Sequence, residues 1–108
     1  NSMKIDQTDL KALNLRVGEI IDAKKVEGSN KLIKIMVDIG EKRQAVAGLR
    51  EWYNPEDMIG KKVVFLANLK PIKLFGIESQ GMILAAEDEN GVSMLTVNSK
   101  VKNGMKIK

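Results

Sequence analysis

The stretch NLKPIKLFGIESQGM at 68–82 concentrates the chemically capable side chains of this chain. Lys70 and Lys73 carry ammonium groups suited to phosphates. Ser79 and Gln80 carry a hydroxyl and an amide that can bond phosphate oxygens, a ribose 2′-hydroxyl or base edges. All four stand between the apolar runs VVFLANL and MILAA, which contain too few polar residues to do such work themselves. A polynucleotide-binding loop would use this set. The same residues also allow a structural account, in which Pro71 and Gly76 shape a turn, Ser79 caps it and Met82 packs inward. Composition alone leaves both open.

Other chemistry is thinner. The segment GIESQG at 76–81 has the glycine spacing of a phosphate-cradling loop, but Met82 stands where the essential lysine belongs and no Ser or Thr follows. Glu87, Asp88 and Glu89 match no calcium-loop spacing and read as a solvated hairpin tip. The chain has no His and no Cys, which removes zinc fingers, thiol nucleophiles, imidazole bases and disulfides. No metal site, catalytic residue or cofactor is expected. Phe75, near the middle of the loop, has a ring that can stack on a base or anchor the loop. Trp52 and Tyr53 read as packing aromatics.

Elements must position these groups, and the 108 residues suit one domain with one core. Residues 1–2 precede Met3 and are expected to be a scar of expression, leaving 3–108 as the domain. Residues 8–13 favour one or two helical turns, with Leu10 and Leu13 on one side against the barrel or a partner subunit. Residues 15–26 alternate as a long first strand, with Gly18 as the expected bulge. Residues 32–39 form a second strand with Leu32, Ile35, Val37 and Ile39 among its inward candidates, joined by GEKR to a third at 44–47. Asn54 and Pro55 open a short helix that ends at Gly60. Residues 62–69 and 82–87 read as the fourth and fifth strands, and Asn90-Gly91 as a turn into an added strand at 92–97. This order predicts an all-β fold: a five-stranded Greek-key OB barrel with a short helix between strands 3 and 4, an N-terminal helical turn and a C-terminal strand extension.

Charge points the same way as the loop. Between Gly60 and Ala86 there are four lysines and one acid, and from Asn90 onward four lysines and none, which predicts a basic face. No window reaches the roughly 20 apolar residues of a membrane span, so no membrane is expected and a cytoplasmic setting is.

The blocks LRVGEI (15–20), VEGSNKL (26–32), RQAVAGL (43–49), NPEDMIGKKV (54–63) and NLKPIKLFGIESQGM (68–82) resemble the C-terminal tRNA-binding domain of methionyl-tRNA synthetases and related free-standing tRNA-binding proteins. The likeness runs from about Leu10 onward. It implies a non-catalytic OB-fold module that binds tRNA by shape, raises tRNA affinity for a synthetase catalytic region in cis or in trans, and forms a homodimer. A protein-binding, export-chaperone-like dimer of the same fold is the alternative. The family's binding positions fall on Asn68, Lys70, Lys73, Ser79, Gln80 and Met82, with Lys31 and Arg43 as basic neighbours. Two residues depart from its pattern: Ala47 stands where a small hydroxyl residue is usual, and Phe75 where a basic or small one is.

Overall fold

The computed structural model describes residues 3–108; the scar expected at residues 1–2 lies outside them. Its centre is a curved sheet in the order β3-β2-β1-β4-β7, all antiparallel. The strands are β1 (Leu15–Lys25), β2 (Ile33–Asp38), β3 (Lys42–Ala47), β4 (Lys62–Leu66) and β7 (Met82–Ile83). The long β1 pairs with β2 along its second half and with β4 along its first, so one strand serves both walls of an OB-like barrel. Ile20, Ile33, Ile35, Val37, Val63 and Phe65 fill the interior, all fully buried. On β2 the inward set is Ile33, Ile35 and Val37, while Leu32, expected to face in, lies one residue out of phase and is half-buried.

Gly18 is not the bulge. The pairing of β1 with β2 shifts between Ile20 and Asp22, which turns Ile20 into the core and Ile21 toward solvent. The backbone of Ile20 also bonds the chain just beyond the short helix α2 (Pro55–Met58): its carbonyl accepts from Gly60 N at 2.7 Å and its amide donates to Lys61 O at 3.0 Å. Gly18 serves a different need, since a side chain there would collide with Val37 and Ile39. Asn54 stands at the N-cap of α2, but its side chain points to the Asp57 carboxylate at 3.4 Å.

Three small elements decorate the barrel. Helix α1 (Gln7–Ala12), one residue ahead of its expected start, buries none of its residues. Strand β10 (Lys106–Ile107) pairs with Leu15 and Arg16 of β1 and was not expected, the extension read at 92–97 being realised instead as Gly91–Met94. The hairpin of β8 (Ala85–Asp88) and β9 (Gly91–Met94) turns at Glu89-Asn90, with Asp88 paired to Gly91. The Asn90-Gly91 turn is therefore corrected by one residue, because Asp88 Oδ1 accepts from Asn90 N at 2.8 Å and Gly91 N at 3.2 Å and holds the tighter start. No described helix is long and apolar enough to cross a membrane.

Candidate nucleic-acid interface

The segment 68–82 is a second hairpin, β5 (Ile72–Leu74) with β6 (Ile77–Ser79), joined at Phe75-Gly76. Both turn residues have left-handed backbone, φ 52° and 76°. This mirror-image two-residue turn matches the natural twist of the flanking strands. Ile72 pairs with Ser79, Lys73 with Glu78 and Leu74 with Ile77.

The base of the hairpin closes the barrel. Strand β3 is a sheet edge, so alternate residues present amides with no strand beside them. Ser79 and Gln80 meet those groups one by one. Ser79 Oγ accepts from Val46 N at 3.0 Å and donates to Gly81 O at 3.0 Å. Gln80 Oε1 accepts from Gln44 N at 3.1 Å, and Gln80 N donates to Gln44 O at 2.7 Å. The Gln44 amide donates in return to Glu78 O at 2.8 Å. Two residues later, Met82 and Ile83 pair with Leu66 and Phe65 of β4. The five residues ESQGM thus bridge β3 to β4, and Gly81 has to be glycine: at φ 148° a Cβ would lie 2.5 Å from the Phe65 ring and 2.7 Å from Leu66 O.

The eight residues singled out from sequence therefore divide into two groups. Lys31, Lys70 and Lys73 are exposed, and no carboxylate among the described residues pairs with them. The other five have their polar atoms or their bulk engaged within the chain. The outward hydroxyl expected of Ser79 is corrected: the residue is 2% exposed and both hydrogen-bonding roles of its hydroxyl are satisfied internally. Gln80 is half-buried, its carbonyl oxygen on Gln44 and its Nε2 donating to Glu78 at 3.2 Å. Met82 packs against the core. Asn68 clasps the junction of α1 and β1, its Oδ1 accepting from Asn14 N at 2.9 Å and its Nδ2 donating to Ala12 O at 2.7 Å. Arg43 bonds the carboxylate of Glu41 at 2.6 Å and donates from Nη1 to Ala67 O at 2.9 Å and Gln80 O at 3.3 Å, a third tie across the seam.

Lys31 reaches this face through the turn joining β1 to β2. Arg50 donates to the carbonyls of Val26 and Ser29, and its own amide donates to Lys31 O at 3.0 Å, so the turn is pinned at both ends. Ser29 Oγ accepts from Lys31 N and Leu32 N, each at 3.2 Å. The hairpin tip meets that turn, where a Cβ at Gly28 would lie 3.9 Å from Phe75 Cε2. Lys73 on the hairpin and Lys31 on the turn thus lie two and three residues from the point where the two segments meet. Sequence reasoning missed Gln44 and Arg50, which act only through backbone partners far along the chain; no local pattern announces them. It also missed Arg16, which lines a polar cleft with Arg43 beside Asn14. Among the described residues no three carboxylates are grouped to hold a metal ion.

Residues 15–106 match the model of a family described as "Putative tRNA binding domain". The chain belongs to this tRNA-binding domain family. It is 52% identical over 107 residues to a methionine–tRNA ligase of Methanocaldococcus jannaschii, an alignment covering 97% of this chain and 16% of that protein. This chain thus spans about one sixth of the length of such relatives. The matched family is a non-catalytic one, and the matched part is an accessory portion of the ligase. Among solved structures, a synthetase-related protein from Pyrococcus horikoshii superposes with TM-score 0.92 at 38% identity, covering 99% of this chain and 100% of that one. The chaperone CsaA of Bacillus anthracis superposes with TM-score 0.89 at 28% identity, covering 98% and 100%.

Proposed function

We propose that this tRNA-binding domain presents Lys31, Lys70 and Lys73 to the phosphate backbone of folded tRNA, serving a methionine–tRNA ligase in cis or in trans in the cytoplasm. The observation that carries this reading is the split between its two residue sets: the lysines project freely, while Ser79, Gln80, Gly81 and Arg43 hold the hairpin that bears two of them against the edge of β3. A rigid frame with mobile ammonium tips reads backbone position and shape and does not discriminate bases. Asn68, Ser79, Gln80 and Met82 then act as positioning residues. Tethering such a weak site to a catalytic unit raises overall affinity by roughly 10²-fold or more with no new contact at the reaction centre.

Pairing with a second copy belongs to the same proposal. Leu10, Leu13 and Met105 are all exposed, and Leu10, Leu13 and Ile107 line one apolar recess between α1 and β10. Helix α1 buries none of its residues and is held at its end by Asn68, which leaves its apolar side for a partner to cover. A second copy supplies that cover.

The test is titration of unfractionated tRNA at two salt concentrations, with sedimentation to count subunits. Affinity that falls steeply with salt supports the reading. No tRNA binding, together with capture of an unfolded polypeptide, favours the chaperone-like alternative that the likeness to CsaA keeps in view.

A further inference from the structure

We propose that Phe75 is a stacking platform for an unpaired base of the bound RNA, an inference that rests on the tRNA-binding reading above and deepens it. Three features converge on this ring. The first is its backbone. Phe75 is the one non-glycine residue among those described with a positive φ, 52°, at a turn position where Asn, Asp or Gly is the usual occupant. A bulky side chain there is an outlier, and such strain is retained where the surroundings and the use of the residue require it.

The second is where the strain sends the ring. One edge, Cδ2 and Cε2, lies over Gly28, 4.0 and 3.9 Å from the position of a Cβ there, while the residue as a whole is 62% exposed. A ring that served only to anchor the hairpin would be covered, as the chain's other phenylalanine, Phe65, is at 0%. The ring approaches the turn along one edge and leaves most of its surface to solvent. That is what a stacking partner needs.

The third is the company it keeps. Lys73 lies two residues before it, Lys70 at the root of the same hairpin, and Lys31 at the end of the turn that contains Gly28. Glu27 on that turn and Glu78 across from Lys73 are the nearby acids, so the patch is basic without being uniformly so. These exposed ammonium groups, on the hairpin and on the turn the ring approaches, are suited to the phosphates that flank a stacked base. The ligand feature is an unstacked base in a loop or at an end, because bases inside an A-form duplex offer no free face. Stacking tolerates any base, since all have a π surface.

The experiment compares the wild-type protein with Phe75→Leu, which keeps apolar contact with Gly28 and removes the aromatic face. Ligands are unfractionated tRNA and a blunt RNA duplex. The expected result is a loss of roughly 5- to 100-fold in tRNA affinity. Duplex affinity, thermal midpoint and the slope of log K against log salt should stay unchanged, because no phosphate contact is removed. A Phe75→Trp variant, made in a Trp52→Phe background, should restore binding and lose fluorescence as tRNA is added. Wild-type binding of tRNA with equal binding by Phe75→Leu overturns the inference alone. Equal losses on tRNA and duplex, or a fall in thermal midpoint, also overturn it by assigning the ring an anchoring role. Absence of tRNA binding by the wild type removes the parent reading with it.

Discussion

Ser79 Oγ lies 3.0 Å from Val46 N and 3.0 Å from Gly81 O, joining the edge of β3 to the segment that continues into β7. A single hydroxyl thus stands in for a rung of strand pairing at the barrel seam. Ser79→Ala leaves the Val46 amide buried without a partner, and the expected loss is about 1–3 kcal/mol in urea unfolding at unchanged m-value. If the residue instead bonded RNA directly, the variant would keep wild-type stability and lose only affinity.

Gly81 admits no side chain. A methyl group would fall 2.5 Å from the Phe65 ring, at a φ of 148° that L-residues rarely adopt. Phe65 is fully buried and cannot swing away without opening the core. Gly81→Ala should therefore cost about 3 kcal/mol or more, combining overpacking with backbone strain. Denaturant midpoints and the yield of folded protein measure it.

The lysines should behave oppositely, changing binding and leaving the fold alone. Lys31→Ala, Lys70→Ala and Lys73→Ala each remove one exposed cation. Each is expected to lower affinity for all tRNAs alike and to flatten the plot of log K against log salt by about 0.7–0.9. Filter binding across a salt series decides the matter. Unchanged slopes in all three variants would place the RNA on another face.

Phe75 predicts a trade between stability and binding. Replacing it with Asn, which tolerates the left-handed region, should stabilise the hairpin by about 1 kcal/mol while weakening tRNA binding. Calorimetry paired with the tRNA titration reads both. A destabilised Asn variant would mean that contact with Gly28 outweighs the backbone strain.

The exposed Leu10 of α1 and Leu13 at its C-cap supply a test of self-association. Leu10→Asp with Leu13→Asp should convert a dimer to a monomer in sedimentation and leave unfolding of the barrel little changed, since neither side chain enters the core. A wild type that sediments as a monomer would count against the pairing.

Alternation and turn chemistry were enough to read most of the architecture from the chain itself. The polar–apolar rhythm of β2, the Gly40 hairpin, Pro55 at the start of α2 and the OB-like order of strands are local or near-local signals, written in residues a few positions apart. So was the reservoir of lysines around 70–73. Local rhythm misplaced the bulge, because which isoleucine of the pair Ile20 and Ile21 turns inward depends on Gly60 and Lys61 docking some forty positions later. It also left open whether Ser79 and Gln80 face outward or inward, since a hydroxyl and an amide suit RNA and a bare strand edge equally well. Only closure of the barrel decided that question: it set the free amides of Gln44 and Val46 beside the ESQGM segment, where an unmet backbone donor costs more than a surface contact returns.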